Sequence, residues 1–437
     1  MNRIRHIGFG AAVVALVGFT VFERTTLAQR GGAPALKVVA LWPQPMPDHQ
    51  VFGAINGIAV DSQDHIWVTH RGADSLEPNE KGMINNPPTS SVCCKAAPFI
   101  VEFDSAGKML SGFGGPGSGY QWPQMTGGIA VDAKGNVWVT AAGVDPAPAG
   151  RGRGGAAAAA RGAAPADGAA RGARGAAPDA AAPARGRAAA APAGPPPVAD
   201  AQVLKFSRTG QFLLQIGTPG KMDGPTSQTS LNRPAAVAID NAANEVYVAD
   251  SGNHRVVVFD ADKGTFKRMW GGSGEAATAA GGGPYDPNAA PSKQFRDVTC
   301  IEIAKDGMVY VCDRSSDRIQ VFSKDGKFQK EAIIAKATTG GVSTVGTTVL
   351  DAHGSVWDVA LSNDANQQFL YVADGVNKKV RVLNRSTLAE VGTIGSGGRY
   401  PGQFLVVDAV AMDSRGNLYT GETHHGKRIQ KFSTSGK

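Results

Sequence analysis

The sequence has few of the features that build helical, membrane-embedded or zinc-dependent modules. No long amphipathic helical pattern occurs in its 437 residues, and beyond the N-terminal region no apolar run is long enough to cross a bilayer. It contains only four cysteines, without the paired CxxC spacing of a structural zinc site. Charged residues make up 19% of the chain, and no basic stripe with interleaved aromatic residues is present. We therefore expect no nucleic-acid partner.

The sequence does contain one motif that is repeated six times. Each copy has a short alternating apolar run, a turn rich in Asp, Asn and Gly, and a second run with an aromatic residue. The copies begin at Gly57, Gly127, Ala236, Cys300, Asp358 and Ala409, and their aromatic residues are Trp67, Trp138, Tyr247, Tyr310, Tyr371 and Tyr419. Most copies continue into a third and a fourth strand. This periodicity predicts an all-β fold, a six-bladed β-propeller of four-stranded antiparallel blades.

The two ends of the chain are predicted to close the ring. The sixth copy stops at FSTSGK after about three strands, whereas the run LKVVALW from Leu36 has no partner in its own neighbourhood. Because an open ring would expose strand edges, we expect this N-terminal strand to complete the sixth blade, giving a propeller domain over residues 36–437.

The first 28 residues have the pattern of a signal peptide. Arg3, Arg5 and His6 precede an apolar run over residues 7–22, and Thr26-Leu27-Ala28 resembles a cleavage site. The alternative is a retained anchor, which would be the only membrane contact. Both interpretations predict an exported protein, either periplasmic or secreted.

Residues 144–199 interrupt the second copy with Ala, Gly, Pro and Arg. This composition predicts a disordered insert that loops out of blade 2, because it has too few apolar residues to form a core. The insert holds seven Arg and three Asp, and the first 28 residues hold three Arg and one Glu. Most of the formal net charge of +7 thus lies outside the ring.

The cysteines leave the redox state open. Cys300 and Cys312 lie on the two strands of one predicted hairpin, where they form either a cross-strand disulfide or two buried thiols. The adjacent Cys93 and Cys94 lie in an insertion of blade 1.

Acidic residues recur at two positions of the repeat. The carboxylates Asp250, Asp313, Asp374 and Glu422 come three residues after the aromatic residue and are followed five residues later by Arg255, Arg318, Lys379 and Lys427. We expect these pairs to be structural and to hold the corner between strands. The acids before the turns, Asp61, Asp132, Asp240 and Asp413, should accept hydrogen bonds from local backbone N–H groups.

Blades 1 and 4 depart from this pattern. Blade 1 has His70 and Arg71 at the corner, and blade 4 has Arg314 at the same offset from its aromatic residue as Arg71. Two arginines at equivalent corners could converge on an anionic group near the central opening. The alternative is a pair of solvent-exposed or locally paired side chains.

Several segments resemble known propellers. The pattern AVAID…VYVADSGNHRVVVFD resembles NHL repeats, and THRG at residues 69–72, VCDRSSDRIQVF and GETHHGKRIQKF resemble the propeller of peptidyl-α-hydroxyglycine α-amidating lyase and its bacterial relatives. The resemblance covers nearly all of residues 51–437 except the insert. It implies a channel zinc held by three histidines at the starts of the innermost strands, a calcium nearby, and catalytic arginines at the positions of Arg71 and Arg314.

The implied metal ligands are missing. The starts of the innermost strands carry Asn56, Gly127, Ala235, Thr299, Trp357 and Asp408, and the family's histidines would correspond to Gly127, Thr299 and Asp408. The ADSGNHR corner also lacks the family's tyrosine. We therefore expect no zinc and no zinc-dependent lyase chemistry. Asp358 and Asp408 either bind calcium or rim a water-filled channel without metal, and His424 and His425 are expected in a surface corner.

The predicted function is that of a ligand- or protein-binding module, acting as a monomer on a small molecule, a peptide or an envelope protein. The predicted ligand contacts are Arg71, Arg314, His70, Asn56 and Thr299. The alternative is an enzyme, either a peptidylamidoglycolate lyase-like carbon–nitrogen lyase or a hydrolase with a metal in the channel.

Overall fold

The structure is a computed structural model, and it describes residues 32–143, 199–338, 341–345, 348–352 and 354–434. The predicted signal peptide and residues 144–198 of the predicted insert lie outside these ranges.

Six four-stranded antiparallel sheets form the blades of a β-propeller, as the repeats predict. In each blade the first strand is the innermost one. Blades 1 to 3 consist of Ile55–Val60, Ile66–His70, Ile100–Phe103 and Met109–Phe113; Thr126–Val131, Val137–Ala141, Gln202–Phe206 and Phe212–Gly217; and Pro234–Asp240, Glu245–Asp250, Arg255–Asp260 and Phe266–Trp270. Blades 4 to 6 consist of Val298–Ile303, Val309–Asp313, Arg318–Phe322 and Phe328–Ile333; Asp358–Leu361, Phe369–Asp374, Lys379–Asn384 and Glu390–Ile394; and Val407–Met412, Leu418–Glu422, Ile429–Thr434 and Leu36–Val38.

Short elements connect the blades. The 3-10 helices are Pro47–His49, Gly72–Ser75, Pro78–Glu80, Ser251–Asn253, Gly272–Gly274 and Arg314–Ser316. Three two-stranded sheets pair Gln50–Val51 with Lys95–Ala96, Gly341–Val345 with Thr348–Ala352, and Ser396–Gly397 with Gln403–Phe404. None of the helices in the described part of the chain has the length and apolar character needed to cross a membrane.

The N-terminal strand closes the ring as predicted. Leu36–Val38 pairs antiparallel with Ile429–Thr434, with Leu36 opposite Thr434 and Val38 opposite Phe432. The sixth blade is therefore built from both ends of the described chain.

The strands of blade 2 on either side of the insert also pair with each other. Its second strand pairs with Gln202–Phe206, placing Thr140 opposite Val203 and Val137 opposite Phe206. The two strands align without the intervening residues because strand pairing is fixed by the alternating apolar pattern on each side.

The aromatic residues of the repeat form the cores between blades. All six are at most 1% exposed. In three blades the aromatic residue also donates a hydrogen bond to the acid before the turn, as between Trp67 Nε1 and Asp61 Oδ2 at 3.0 Å. The same acid accepts local N–H groups, for example from Gln63 at 2.8 Å and His65 at 3.0 Å. The predicted role of these aspartates is confirmed in all four blades.

The corner ion pairs are confirmed in blades 3 and 4. Arg255 Nε lies 2.8 Å from Asp250 Oδ2, and Arg318 Nε lies 3.0 Å from Asp313 Oδ2, with all four side chains at most 1% exposed. Cys300 and Cys312 are cross-strand partners and form a disulfide. Cys93 and Cys94 form a second disulfide.

The predicted basic partners are wrong in blades 5 and 6. Asp374 pairs at 2.7 Å with Arg381, which lies two residues beyond Lys379 on the same face of the third strand. In blade 6 the corner is one residue longer, so Glu422 pairs with Arg428. Lys427 instead reaches Glu80 of the blade 1 insertion at 2.5 Å.

Candidate functional site

The candidate site is a cavity of about 470 Å³ in the central channel. The inner strands of the blades surround it. The six residues that the repeat places at the starts of these strands all line the cavity: Asn56, Gly127, Ala235, Thr299, Trp357 and Asp408.

Arg71 enters the cavity from blade 1. It follows the second strand and immediately precedes the 3-10 helix Gly72–Ser75, and its backbone N–H donates to Ala54 O at 2.9 Å. Its Nε donates to Asn56 Oδ1 at 3.1 Å, which is the one side-chain hydrogen bond of this guanidinium within the described residues. Burial and the nearby Arg314 lower the pKa of Arg71, while Asp408 opposes the shift. Because the hydrogen bond to Asn56 uses only Nε, the two terminal nitrogens of Arg71 are able to bind a ligand.

Arg314 enters from blade 4 at the equivalent corner and is tied to its neighbours. Its Nη2 and Nε lie 2.7 Å and 3.0 Å from Asp297 Oδ2, and its guanidinium lies 4.7 Å from the centre of the Trp357 ring. Burial raises the pKa of Asp297, but Arg314 and a 2.7 Å hydrogen bond from Ser251 outweigh it and hold that pKa below its usual value. Arg314 is thus held in place at the cavity wall.

Asp408 lies in the field of both arginines. Burial raises its pKa to about 6, against the opposing effect of Arg71 and Arg314. Arg71 and Arg314 both line the cavity, and both interact electrostatically with Asp408; their joint binding of an anion stays a prediction.

Two of the predicted ligand contacts line the cavity but already use their side chains within the protein. Thr299 lines the cavity, and its Oγ1 donates to Trp357 O of the next blade at 3.0 Å. Asn56 also lines the cavity and orients Arg71.

His70 lies outside the cavity lining, so its prediction as a ligand contact is not supported by its position. Its ring is fully buried, Nδ1 accepts from Gly53 N at 3.0 Å and Gly72 N at 3.1 Å, and Nε2 donates to Pro98 O at 2.8 Å. Burial lowers its pKa to about 4. The last position of the second strand points into the blade, whereas the next residue, Arg71, points into the channel.

His424 lines the cavity, contrary to the prediction of a surface corner. Burial, with a further contribution from Arg71, lowers its pKa to about 4, so the ring is neutral at pH 7. Its Nδ1 is closed off from water and has no hydrogen-bond partner among the described residues. Nε2 is the nitrogen left to meet a ligand.

Thr423 was also missed, although the repeat contained a signal for it. It follows the aromatic residue by four positions, as Arg71 and Arg314 do in their blades. Thr423 is 1% exposed and lines the cavity, and its Oγ1 lacks a hydrogen-bond partner within the described residues. Arg233, in the connection before blade 3, lines the cavity as well.

Two further acidic side chains line the cavity, Asp358 from blade 5 and Glu302 from blade 4. Asp358 Oδ2 accepts from Val410 N of the next blade and Oδ1 from Val359 N, both at 2.9 Å. Glu302 lies close enough for Asp358 to raise its pKa further, after burial, to about 8. Burial raises the pKa of Asp358 to about 7, and Asp408 adds to the shift.

The residues of this cavity do not fit a zinc ion. The three positions at which the amidating lyases carry zinc-binding histidines are occupied here by Gly127, Thr299 and Asp408. His424 is the one imidazole in the lining formed by the described residues. Zinc sites in proteins require several nitrogen or sulfur ligands around one point. The prediction of calcium at Asp358 and Asp408 stays a prediction.

One compact metal-type cluster does occur among the described residues, on blade 1 outside the cavity. Asp61, His65 and Glu102 hold their ligand atoms within 4.8 Å of one another. The guanidinium of Arg208 lies among them, 3.0 Å from Asp61 Oδ2 and in contact with Glu102. Arg208 supplies the positive charge that a metal would bring.

Residues 231–259, which cover most of blade 3 up to its third strand, match the sequence model of the NHL repeat family. NHL repeat-containing protein 2 of Bos taurus is 25% identical over 243 residues, which is 52% of this chain and 33% of the relative. NHL repeat-containing protein 3 of Homo sapiens is 34% identical over 126 residues, 28% of this chain and 31% of the relative. The chain thus spans about a third of the length of these NHL relatives.

Two solved structures have similar folds. A streptogramin B lyase is 10% identical with a TM-score of 0.45, covering 91% of this chain and 97% of that one. A catalytically inactive variant of virginiamycin B lyase from Staphylococcus aureus, solved with quinupristin, is 11% identical with a TM-score of 0.41, covering 92% of this chain and 89% of that one.

Proposed function

We propose that the protein is an exported propeller that binds a small ligand with an anionic group, such as a carboxylate, in its central cavity. The observation that carries the proposal is the position of Arg71. Its side chain enters the cavity, yet a single neutral hydrogen bond to Asn56 is its only one among the described residues.

A guanidinium in a partly enclosed site binds an anion more strongly than it would in water, because less solvent screens the charge. Thr423 Oγ1 and the neutral His424 add uncharged hydrogen-bonding groups to the lining of the cavity. Arg314 is held by Asp297 and Trp357, so it provides a fixed positive charge near the bound anion.

Export is proposed from the signal-peptide pattern and from the Cys300–Cys312 pairing, since disulfides persist outside the cytoplasm. Protein expressed with its first 28 residues should be recovered from the periplasm or the medium, shortened at its N-terminus.

Hexanoate provides a direct test by titration calorimetry. We expect binding to the wild-type protein and a loss of about tenfold or more in affinity for Arg71→Met, because one charge-assisted hydrogen bond contributes about 1.5–3 kcal/mol. Arg415→Met is the matched control, since this arginine is 69% exposed in the turn of blade 6. Equal hexanoate affinities for Arg71→Met and the wild type would refute the proposal.

A second candidate is lyase chemistry in the same cavity, favoured by the neutral imidazole of His424 beside Arg71. In that case the protein should release glyoxylate from a peptidyl α-hydroxyglycine at enzymatic rates, and His424→Gln should abolish the release. Stoichiometric zinc in the purified protein would favour the lyase over the binding module.

A further inference from the structure

Glu302 breaks the repeat at a position where every other blade carries alanine. The residue opposite the aromatic residue on the first strand is Ala59, Ala130, Ala238, Ala360 or Ala411 in the other five blades. In blade 4 it is Glu302, opposite Tyr310. A propeller of this kind therefore needs only a methyl group here, and the carboxylate is an addition to the scaffold.

Asp358 is a second departure, two positions earlier in the repeat. The equivalent residues of the other blades are small: Gly57, Gly128, Ala236, Cys300 and Ala409. Two acidic side chains thus enter the channel from the neighbouring blades 4 and 5, and both line the cavity.

Glu302 has no partner that would account for its charge. Within the described residues it forms no hydrogen bond and no ion pair, and its nearest charged influence is the like charge of Asp358. Asp358 is bound to two backbone N–H groups, and no cation pairs with it in that part of the chain either. Both side chains are half-buried in the cavity wall, and carboxylates withdrawn from water without a positive partner are costly, which is expected where a ligand supplies that partner.

Glu302 lies farther along the channel than the arginines. Asp358 is one residue from the level of Arg71, and its side chain extends in the same direction, since its Oδ2 accepts from Val410 N, two residues beyond Asp408. Glu302 is three residues along the first strand from Thr299, which lies at the level of Asn56 and hence of Arg71. At about 3.3 Å per residue this corresponds to a separation of about 10 Å along the strand. One end of the cavity therefore carries both arginines together with Asp408, and the other, acidic end carries Glu302 with the Asp358 carboxylate close to it.

We propose that the ligand is dipolar, a small zwitterion or short peptide whose carboxylate lies at Arg71 and whose ammonium group lies between Glu302 and Asp358. The proposal rests on the proposed function and adds a second charged contact to it. The positive charge of such a ligand would also let both acids ionise, because it offsets their mutual repulsion.

Three probes of equal carbon number separate the two contacts: 6-aminohexanoate, hexanoate and hexylammonium, titrated at about pH 8 where the acids can ionise. We expect 6-aminohexanoate to bind the wild-type protein about tenfold more tightly than hexanoate does. In Glu302→Ala this ratio should fall by about tenfold. The variant carries the residue of the other five blades, so it should fold, and its melting temperature checks this. Glu275→Ala, at an exposed loop position, should keep the wild-type ratio.

Equal affinities of 6-aminohexanoate and hexanoate for the wild type would overturn the dipolar ligand and leave the anion site standing. Binding of hexylammonium that depends on Glu302, without hexanoate binding, would support the acidic end and refute the anion site. Binding of none of the probes would overturn both.

Discussion

Arg255 and Arg71 lie at corresponding corners of blades 3 and 1, and their surroundings differ sharply. Arg255 is fully buried, pairs with Asp250, and donates further hydrogen bonds to the carbonyl oxygens of Pro225, Ser227 and Ser230. Arg71 has one side-chain hydrogen bond among the described residues, to Asn56, and lies in a cavity. Arg255 is saturated by Asp250 and by the connection that precedes its blade, and Arg314 is held by Asp297, whereas the terminal nitrogens of Arg71 have no hydrogen-bond partner within the described residues.

The largest expected effect is a loss of stability when Arg255 is replaced at the blade 3 corner. Arg255→Met should lower the free energy of unfolding by about 3–5 kcal/mol, because it leaves Asp250 buried and unpaired. Arg71→Met should change it by less than about 1 kcal/mol. Denaturant unfolding of both variants measures the difference. Equal losses would show that Arg71 is also structural.

The two disulfides offer a similar contrast between ring and insertion. Replacing both Cys300 and Cys312 by Ala should cost about 2–3 kcal/mol, since the bridge restricts the unfolded chain within the inner hairpin of blade 4. Replacing both Cys93 and Cys94 should cost less, because this pair lies in an exposed insertion. Unfolding curves in urea rank the two double variants, and the reverse order would contradict the comparison.

Blade 5 separates the observed partner of Asp374 from the one that the spacing predicted. Arg381→Ala should lower the free energy of unfolding by about 1–3 kcal/mol, because buried Asp374 loses its charged donor. Lys379→Ala should cost less than about 0.5 kcal/mol. If thermal unfolding showed a greater loss of stability for Lys379→Ala than for Arg381→Ala, the pairing predicted from the sequence would be favoured instead.

A further expected effect is a pH dependence of stability from the acidic end of the cavity. The pKa of Glu302 is raised to about 8 in the folded protein, so the fold holds a proton that the unfolded chain releases above its usual pKa. The folded state binds more protons, and stability should therefore fall as pH rises from about 5 to about 8. Glu302→Ala should have a shallower decline in urea midpoints over this interval. The pH dependence that remains in this variant should come from Asp358 and Asp408, whose pKa values are raised to about 7 and about 6.

The sequence predicted the ring because each blade repeats a local pattern. Alternation, turn residues and the buried aromatic residue are encoded within about 20 consecutive residues, so the register of all six inner strands, including Asn56 and Asp408, follows from counting. The closing strand at Leu36 followed from one unpaired apolar run.

The corners were harder because a difference of one residue changes the partner. Glu422 pairs with Arg428 rather than Lys427, since the blade 6 corner is one residue longer than the corner at Asp250. The sequence predicted His70 as a ligand contact and His424 in a surface corner. In the structure His70 is buried in the blade and His424 lines the cavity. Side-chain direction at a strand end depends on the turn that follows, and similar spacing does not reveal it.

The amino-acid sequence by itself determined the six blades, their strand order and the level at which each inner residue meets the channel, because these depend on short-range periodicity. Only the tertiary structure decided that Arg71, His424 and Glu302 share one cavity. They come from blades 1, 6 and 4, and their proximity arises from closing the ring, which brings together residues hundreds of positions apart in the chain.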